Sequence, residues 1–197
     1  MQLRKNVAAV TLALMFAAGV AHAELLTNGD FETGELTGFT VDPAGIGYVG
    51  VDAESPYAGT YGAYFAGTDP AAPDTISQTV QTIPGSTYRV SFFLQNEEAS
   101  GPDNRFLVRF ANMTLLDLTN VAPFGYREFS SDITAAASQS VLSFTGYNAP
   151  AAFDLDNVSV ARVDSASAVP EPGTAVLLGI GLTGLIYRRR VRQRLAR

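Results

Sequence analysis

TYRVSFFLQ, residues 87–95, alternates like one half-buried β-strand. Tyr88, Val90, Phe92 and Leu94 fall on one side of an extended chain, and Arg89, Ser91 and Gln95 on the other. Apolar residues at every second position give a strand one face for a core and one for solvent, and this period fits better than a helical one. Phe93 alone breaks the alternation. Working outward, DTISQTVQ (74–81), RFLVRF (105–110), YREFSS (126–131), SVLSFTG (140–146) and DLDNVSV (154–160) have the same character. Turn chemistry lies between them, at Pro43 to Gly47, Pro84-Gly85, Ser100-Gly101-Pro102 and Asn148-Ala149-Pro150. No long amphipathic helix is visible, and TAAASQS (134–140) predicts a loop. Short strands at this spacing predict an all-β sandwich or jelly roll. In FDLDNVSV (153–160) the apolar parity changes between Leu155 and Val158, so a bulge is expected at Asp156-Asn157.

The two ends do not share this pattern. MQLRK, an apolar run over 7–20 and AHA before Glu24 come in the order of a secretory signal, which predicts a signal peptide over 1–23 with cleavage after Ala23. The strand pattern occupies 24–163, and DSASA (164–168) reads as a short linker. Beyond it come VPEPGT (169–174), an uncharged stretch over 175–187, and six arginines within 188–197. As a helix, the uncharged stretch would cover roughly 20 Å of a bilayer core about 30 Å thick. A marginal anchor followed by a basic stop keeps the tail cytoplasmic and the domain outside.

Between the ends the composition removes much chemistry. The chain has no cysteine, and its one histidine, His22, falls in the predicted signal peptide. Disulfides, thiolate nucleophiles, zinc sites built on Cys or His, and histidine triads are therefore excluded from the domain. Residues 24–168 hold five arginines, no lysine and eighteen carboxylates, a net charge of −13. Such a surface repels phosphate backbones, so nucleic acid is excluded as a partner. It suits solubility in a polyanionic matrix or the binding of divalent cations.

Two resemblances follow from these stretches. Val169, Pro170, Glu171, Pro172, Gly173 and Thr174, with the hydrophobic segment and the arginines, resemble the PEP-CTERM sorting signal of bacteria that secrete an exopolysaccharide matrix. That resemblance implies recognition by an exosortase, cutting near the motif, and membrane contact through 175–187 before processing. LLTNGDFETG (25–34), SPYAGTYGAYF (55–65), IPGSTYRVSFFLQN (83–96) and FDLDNVSV (153–160) resemble successive landmarks of galactose-binding-like jelly rolls, a superfamily that includes many carbohydrate-binding modules. It implies a structural calcium held by the carbonyl of Asp30, the side chains of Glu32 and Asp156, and carbonyls near Thr60 and Gly62. Carboxylates and carbonyls are the oxygens calcium takes.

Sugar binding needs flat rings and polar groups. The chain has no tryptophan, so Tyr48, Tyr57, Tyr126 and Tyr147, near predicted loops, are the ring candidates. Asp154 and Asp156 would lie about 7 Å apart on one strand face, within the range of an inverting glycosidase pair. No second motif supplies an acid of raised pKa. Glu97-Glu98 reads as a solvated pair. The sequence therefore predicts an exported, non-enzymatic surface or matrix protein associating with exopolysaccharide. Its alternatives are a structural or protein-interaction matrix component without sugar affinity and, least supported, an exported hydrolase.

Overall fold

The computed structural model describes residues 24–42, 48–97 and 103–163. The predicted signal peptide, linker and sorting signal lie outside the described residues, as do the turns at Pro43 to Gly47 and Ser100 to Pro102.

The alternating stretches form strands of two five-stranded antiparallel sheets. The first sheet, in the order β2-β3-β10-β5-β8, joins β2 (Val49–Asp52), β3 (Gly62–Phe65), β10 (Phe153–Val163), β5 (Thr87–Asn96) and β8 (Phe124–Thr134). The second, in the order β1-β4-β9-β6-β7, joins β1 (Thr40–Asp42), β4 (Asp74–Gln81), β9 (Gln139–Tyr147), β6 (Arg105–Phe110) and β7 (Met113–Thr119). The order is far from sequential in both sheets, as crossing jelly-roll connections require. The described residues contain no helix, and TAAASQS supplies a loop between β8 and β9.

The core lies between the sheets. Tyr88, Val90, Phe92 and Leu94 of β5 are buried and meet Phe106, Val108 and Phe110 of β6 and Leu142 and Phe144 of β9 in one cluster. Edge-to-face pairs such as Phe92 with Phe144, centroids 5.5 Å apart, fill the space between the layers. Polar side chains close one end of the sandwich. Asn148 Nδ2 donates to Asn96 Oδ1 at 2.7 Å, and Asn96 Nδ2 donates to the Val121 carbonyl at 3.1 Å. These bonds give the buried amides the partners that burial demands.

The expected irregularity in the last strand is present. The β10–β5 register shifts between Asp156 and Ser159, and Asn157 has φ 48°, so both Leu155 and Val158 point inward. A bulge resets the pleat by one residue, which is what the change of parity needs. The first described residue is stapled to the same strand: Glu24 bridges Ala161, and its Oε1 accepts the Val160 N–H at 2.9 Å.

Candidate functional site

The outer face of the first sheet carries the chemistry. Gly50, Tyr64, Asp154 and Gln95 stand directly opposite one another across β2, β3, β10 and β5 and form one outward row. Asp156, Phe93 and Glu128 belong to the next row. Glycine at position 50 lets the Tyr64 ring lie against the sheet, since a Cβ there would come within 2.9 Å of the ring. Phe93, the residue that breaks the alternation of β5, is thus outward by construction. Its apolar ring is covered instead by Tyr57, whose ring stacks on it with centroids 3.7 Å apart and planes 12° off parallel.

Tyr57 belongs to a segment between β2 and β3 that folds back over this face. Two carboxylates hold it through backbone amides. Asp156 Oδ2 accepts the Tyr57 and Ala58 N–H groups at 2.9 and 3.0 Å, and Oδ1 accepts its neighbour Asn157 N–H at 2.6 Å. Glu32 Oε1 accepts the Thr60 and Tyr61 N–H groups at 2.7 and 3.0 Å. These amide bonds pull the Glu32 carboxyl below its usual range. Gly59, at φ 72°, makes room for it; a Cβ there would fall 2.2 Å from Glu32 Oε1. Asp156 is fully buried, and desolvation raises its pKa against the same kind of amide support. At the far side of the segment, Tyr126 Oη donates to the Ser55 carbonyl at 2.6 Å, and its ring meets Tyr57 edge-on at 5.3 Å. Burial and nearby carboxylates push the Tyr126 hydroxyl pKa well up, so it stays a donor.

Ser55, at the start of this segment, also lines a cleft of about 230 Å³, shared with Asp52, Glu54, Tyr64, Glu97 and Asp154 together with Ala66 and residues 150–152. Asp154 is only 5% exposed, although strand-end acids are expected to be solvated; the cleft walls and the neighbouring strands enclose it. Gln95 Nε2 donates to its Oδ2 at 2.8 Å, and the Glu97 and Asp52 carboxylates lie near enough to act on its charge. Burial, opposed by Gln95 and reinforced by Glu97 and Asp52, pushes the Asp154 carboxyl up to about 7. Glu97, read from sequence as a solvated charge, also accepts the Ser55 hydroxyl at 2.7 Å. The sequence showed these acids but not that a loop would bring Asp52 and Glu97 to Asp154. The only local signal was Asp154 sharing strand parity with Asp156.

Of the four tyrosines, Tyr57 and Tyr126 meet. Tyr48 lies at the start of β2, with its N–H bonded to Asp74 Oδ2, and Tyr147 lies opposite Arg105 on the second sheet. Of the residues assigned to calcium, Glu32 and Asp156 both grip the 57–61 segment, and the charge of Glu32 raises the Asp156 pKa. Asp30 is exposed beside them, its Oδ1 3.4 Å from the Glu32 N–H, and Gly62 is buried opposite Asp52. Among the described residues no three acidic or histidine side chains converge as metal ligands, so a cation here would draw on backbone carbonyls. The donor set fits a hard cation in one respect: two like-charged carboxylates sit close together with no cationic side chain among the causes acting on either.

Comparison with known proteins bears on the C-terminal motif and on the fold. Residues 168–191 match the family model of the PEP-CTERM protein-sorting motif. No curated protein matches the chain. Among solved structures, the fold resembles TmCBM61 in complex with β-1,4-galactotriose, at 17% identity and a TM-score of 0.59 over 72% of this chain and 99% of that one. It also resembles the CBM22-1 xylan-binding domain of Xyn10C from Paenibacillus barcinonensis, at 23% identity and a TM-score of 0.52 over 76% of this chain and all of that one (100%). The CBM22 tandem of the same Xyn10C matches at 21% identity and a TM-score of 0.55 over 79% of this chain and 49% of that one. The chain therefore carries a PEP-CTERM sorting motif behind a domain with the jelly-roll fold of carbohydrate-binding modules.

Proposed function

We propose that this is an exported surface protein, handled by an exosortase, whose jelly-roll domain binds polysaccharide around the cell without cleaving it. The observation that carries the reading is Tyr57. Its ring is backed by Phe93 and braced by Tyr126, yet Tyr57 remains 43% exposed. A flat ring held in advance presents a face to a pyranose at little cost in side-chain entropy. The cleft that Ser55 helps to line offers that residue and carboxylate oxygens to sugar hydroxyls. Hydrolysis is a poorer fit. Asp154 has the raised pKa of a general acid, but Asp156, the acid that shares its strand face, is fully buried and holds three backbone N–H groups, so it does not serve as the second carboxyl of a glycosidase pair.

The test is retention of the isolated domain, residues 24–163, on a panel of polysaccharides including the exopolysaccharide of the producing cell. Tyr57→Ala is expected to abolish retention, and Tyr147→Ala to leave it unchanged. No retention on any polysaccharide would support the alternative, a matrix component that acts through structure or protein contacts alone.

Calcium is proposed for the Glu32–Asp156 pair. The free lone pairs of these carboxylates, with carbonyls of Asp30, Thr60 and Gly62, would hold it, and it would supply the positive charge that two adjacent carboxylates lack. The residues themselves already position the loop through their amide bonds.

A further inference from the structure

We propose that the glycan taken at this site bears free ammonium groups, as in a hexosamine polymer that has lost at least part of its N-acetyl groups. The inference rests on the sugar-binding reading above and concerns the chemistry of the cleft. Asp52, Glu54, Glu97 and Asp154 all line it, and no lysine or arginine does. The arginines with partners in view are engaged elsewhere. Arg89 forms a two-pronged pair with Asp132, Arg105 does so with Asp117, Arg109 donates to the Asn112 carbonyl, and Arg127 lies over the Phe124 ring.

The cleft is more than a group of acids. Tyr64, laid flat by Gly50, gives it an aromatic wall, and Ser55, two residues before the exposed Tyr57, lines it as well. Ring faces and carboxylates around one small cavity are the chemistry that recognises an amine cation, because both attract positive charge. The volume, about 230 Å³, is below that of pockets for drug-sized ligands and suits a single sugar unit of a longer chain. A neutral sugar would satisfy hydrogen bonds and leave the clustered charge uncompensated. An N-acetyl group would remove the cation, and a uronic acid would add repulsion.

The experiment is calorimetric titration of the domain with four trisaccharides at pH 6: a glucosamine trimer, its N-acetylated form, cellotriose and a galacturonate trimer. The glucosamine trimer is expected to bind at least tenfold more tightly than any other. The double variant Asp52→Asn/Glu97→Gln should reduce it to the level of cellotriose. Glu35→Gln/Asp69→Asn, which removes the same charge from exposed positions away from the cleft, should not. Equal affinity for all four trimers, abolished by Tyr57→Ala, would overturn the ammonium inference and leave the sugar reading standing. Equal losses in both double variants would show general attraction to an acidic domain and overturn it too. No binding of any trimer or polysaccharide would remove both.

Discussion

Replacing Asp154 with asparagine should change how stability responds to pH. The carboxyl is 5% exposed, and its pKa is raised to about 7, first by burial and then by Glu97 and Asp52. A raised folded-state pKa means that the native state holds the proton more tightly than the unfolded chain. The stabilisation is therefore complete below the unfolded value near 4 and is lost as pH rises through 7. At about 1.4 kcal/mol per pH unit, three units set an upper bound of about 4 kcal/mol. Because Gln95 supports the ionised form and the cleft admits water, about 2 kcal/mol is the expected loss between pH 5 and pH 7.5. The substituted amide keeps an acceptor for Gln95 and cannot ionise. Asp154→Asn should thus be flatter across that window and more stable than the parent at pH 7.5. Urea denaturation of residues 24–163 in excess chelator, at half-unit pH steps, measures it. A parent whose stability does not fall between pH 5 and 7.5, or a variant that falls equally, would refute the placement of an uncompensated buried carboxyl.

The other expectations concern different parts of the molecule. Calcium at about 100 times its Kd should stabilise the domain by roughly 2.7 kcal/mol, read from the melting temperature, and Glu32→Gln or Asp156→Asn should remove most of that gain. Equal melting curves with calcium and with chelator would leave both acids as loop anchors only. Gly59→Ala forces a Cβ into the Glu32 carboxylate, so amide exchange at Thr60 and Tyr61 should accelerate while that of β5 stays unchanged. Asn96→Ala removes one partner each from the Asn148 amide and the Val121 carbonyl, which keep the Ala152 carbonyl and Asn104 Nδ2, and should cost about 1 kcal/mol in chemical denaturation. Mass spectrometry of secreted material should find no peptide from residues 1–23 or 188–197, and intact arginine tails outside the cell would contradict sorting.

The strands were legible where alternation was strong. β4, β5, β6 and β9 announce themselves because each buries one face and keeps the other more open, whereas the last strand alternates in sequence but is buried on both faces from Phe153 to Asp156. β7 was missed: MTLLDLT is an edge strand with a register shift opposite Arg109, so its leucines do not alternate cleanly. β1 and β2 are three and four residues long, too short to show a period. The bulge at Asp156-Asn157 was visible because Leu155 and Val158 both demanded the core. Of the four candidate tyrosines, Tyr57 and Tyr126 come into contact, but the partner that stiffens Tyr57 was visible only as an anomaly at Phe93. Glu97 and Asp154 lie far apart in sequence, and a carboxylate carries no mark of which loop will close over it.

The staple between Glu24 and the last strand fixes how the domain is presented. The N-terminal end of the described fold is paired at Ala161, and the chain leaves it two residues later at Val163, so both ends sit at one pole. Phe153, beside the cleft, begins the same strand. Ten residues of extended chain separate the two, about 30 Å. Within the described fold, the acidic mouth thus lies about a strand's length from the point where the chain runs on toward the sorting motif. Cutting at the sorting motif would remove none of the residues that line the mouth, so the glycan binding proposed above would be the same before and after processing.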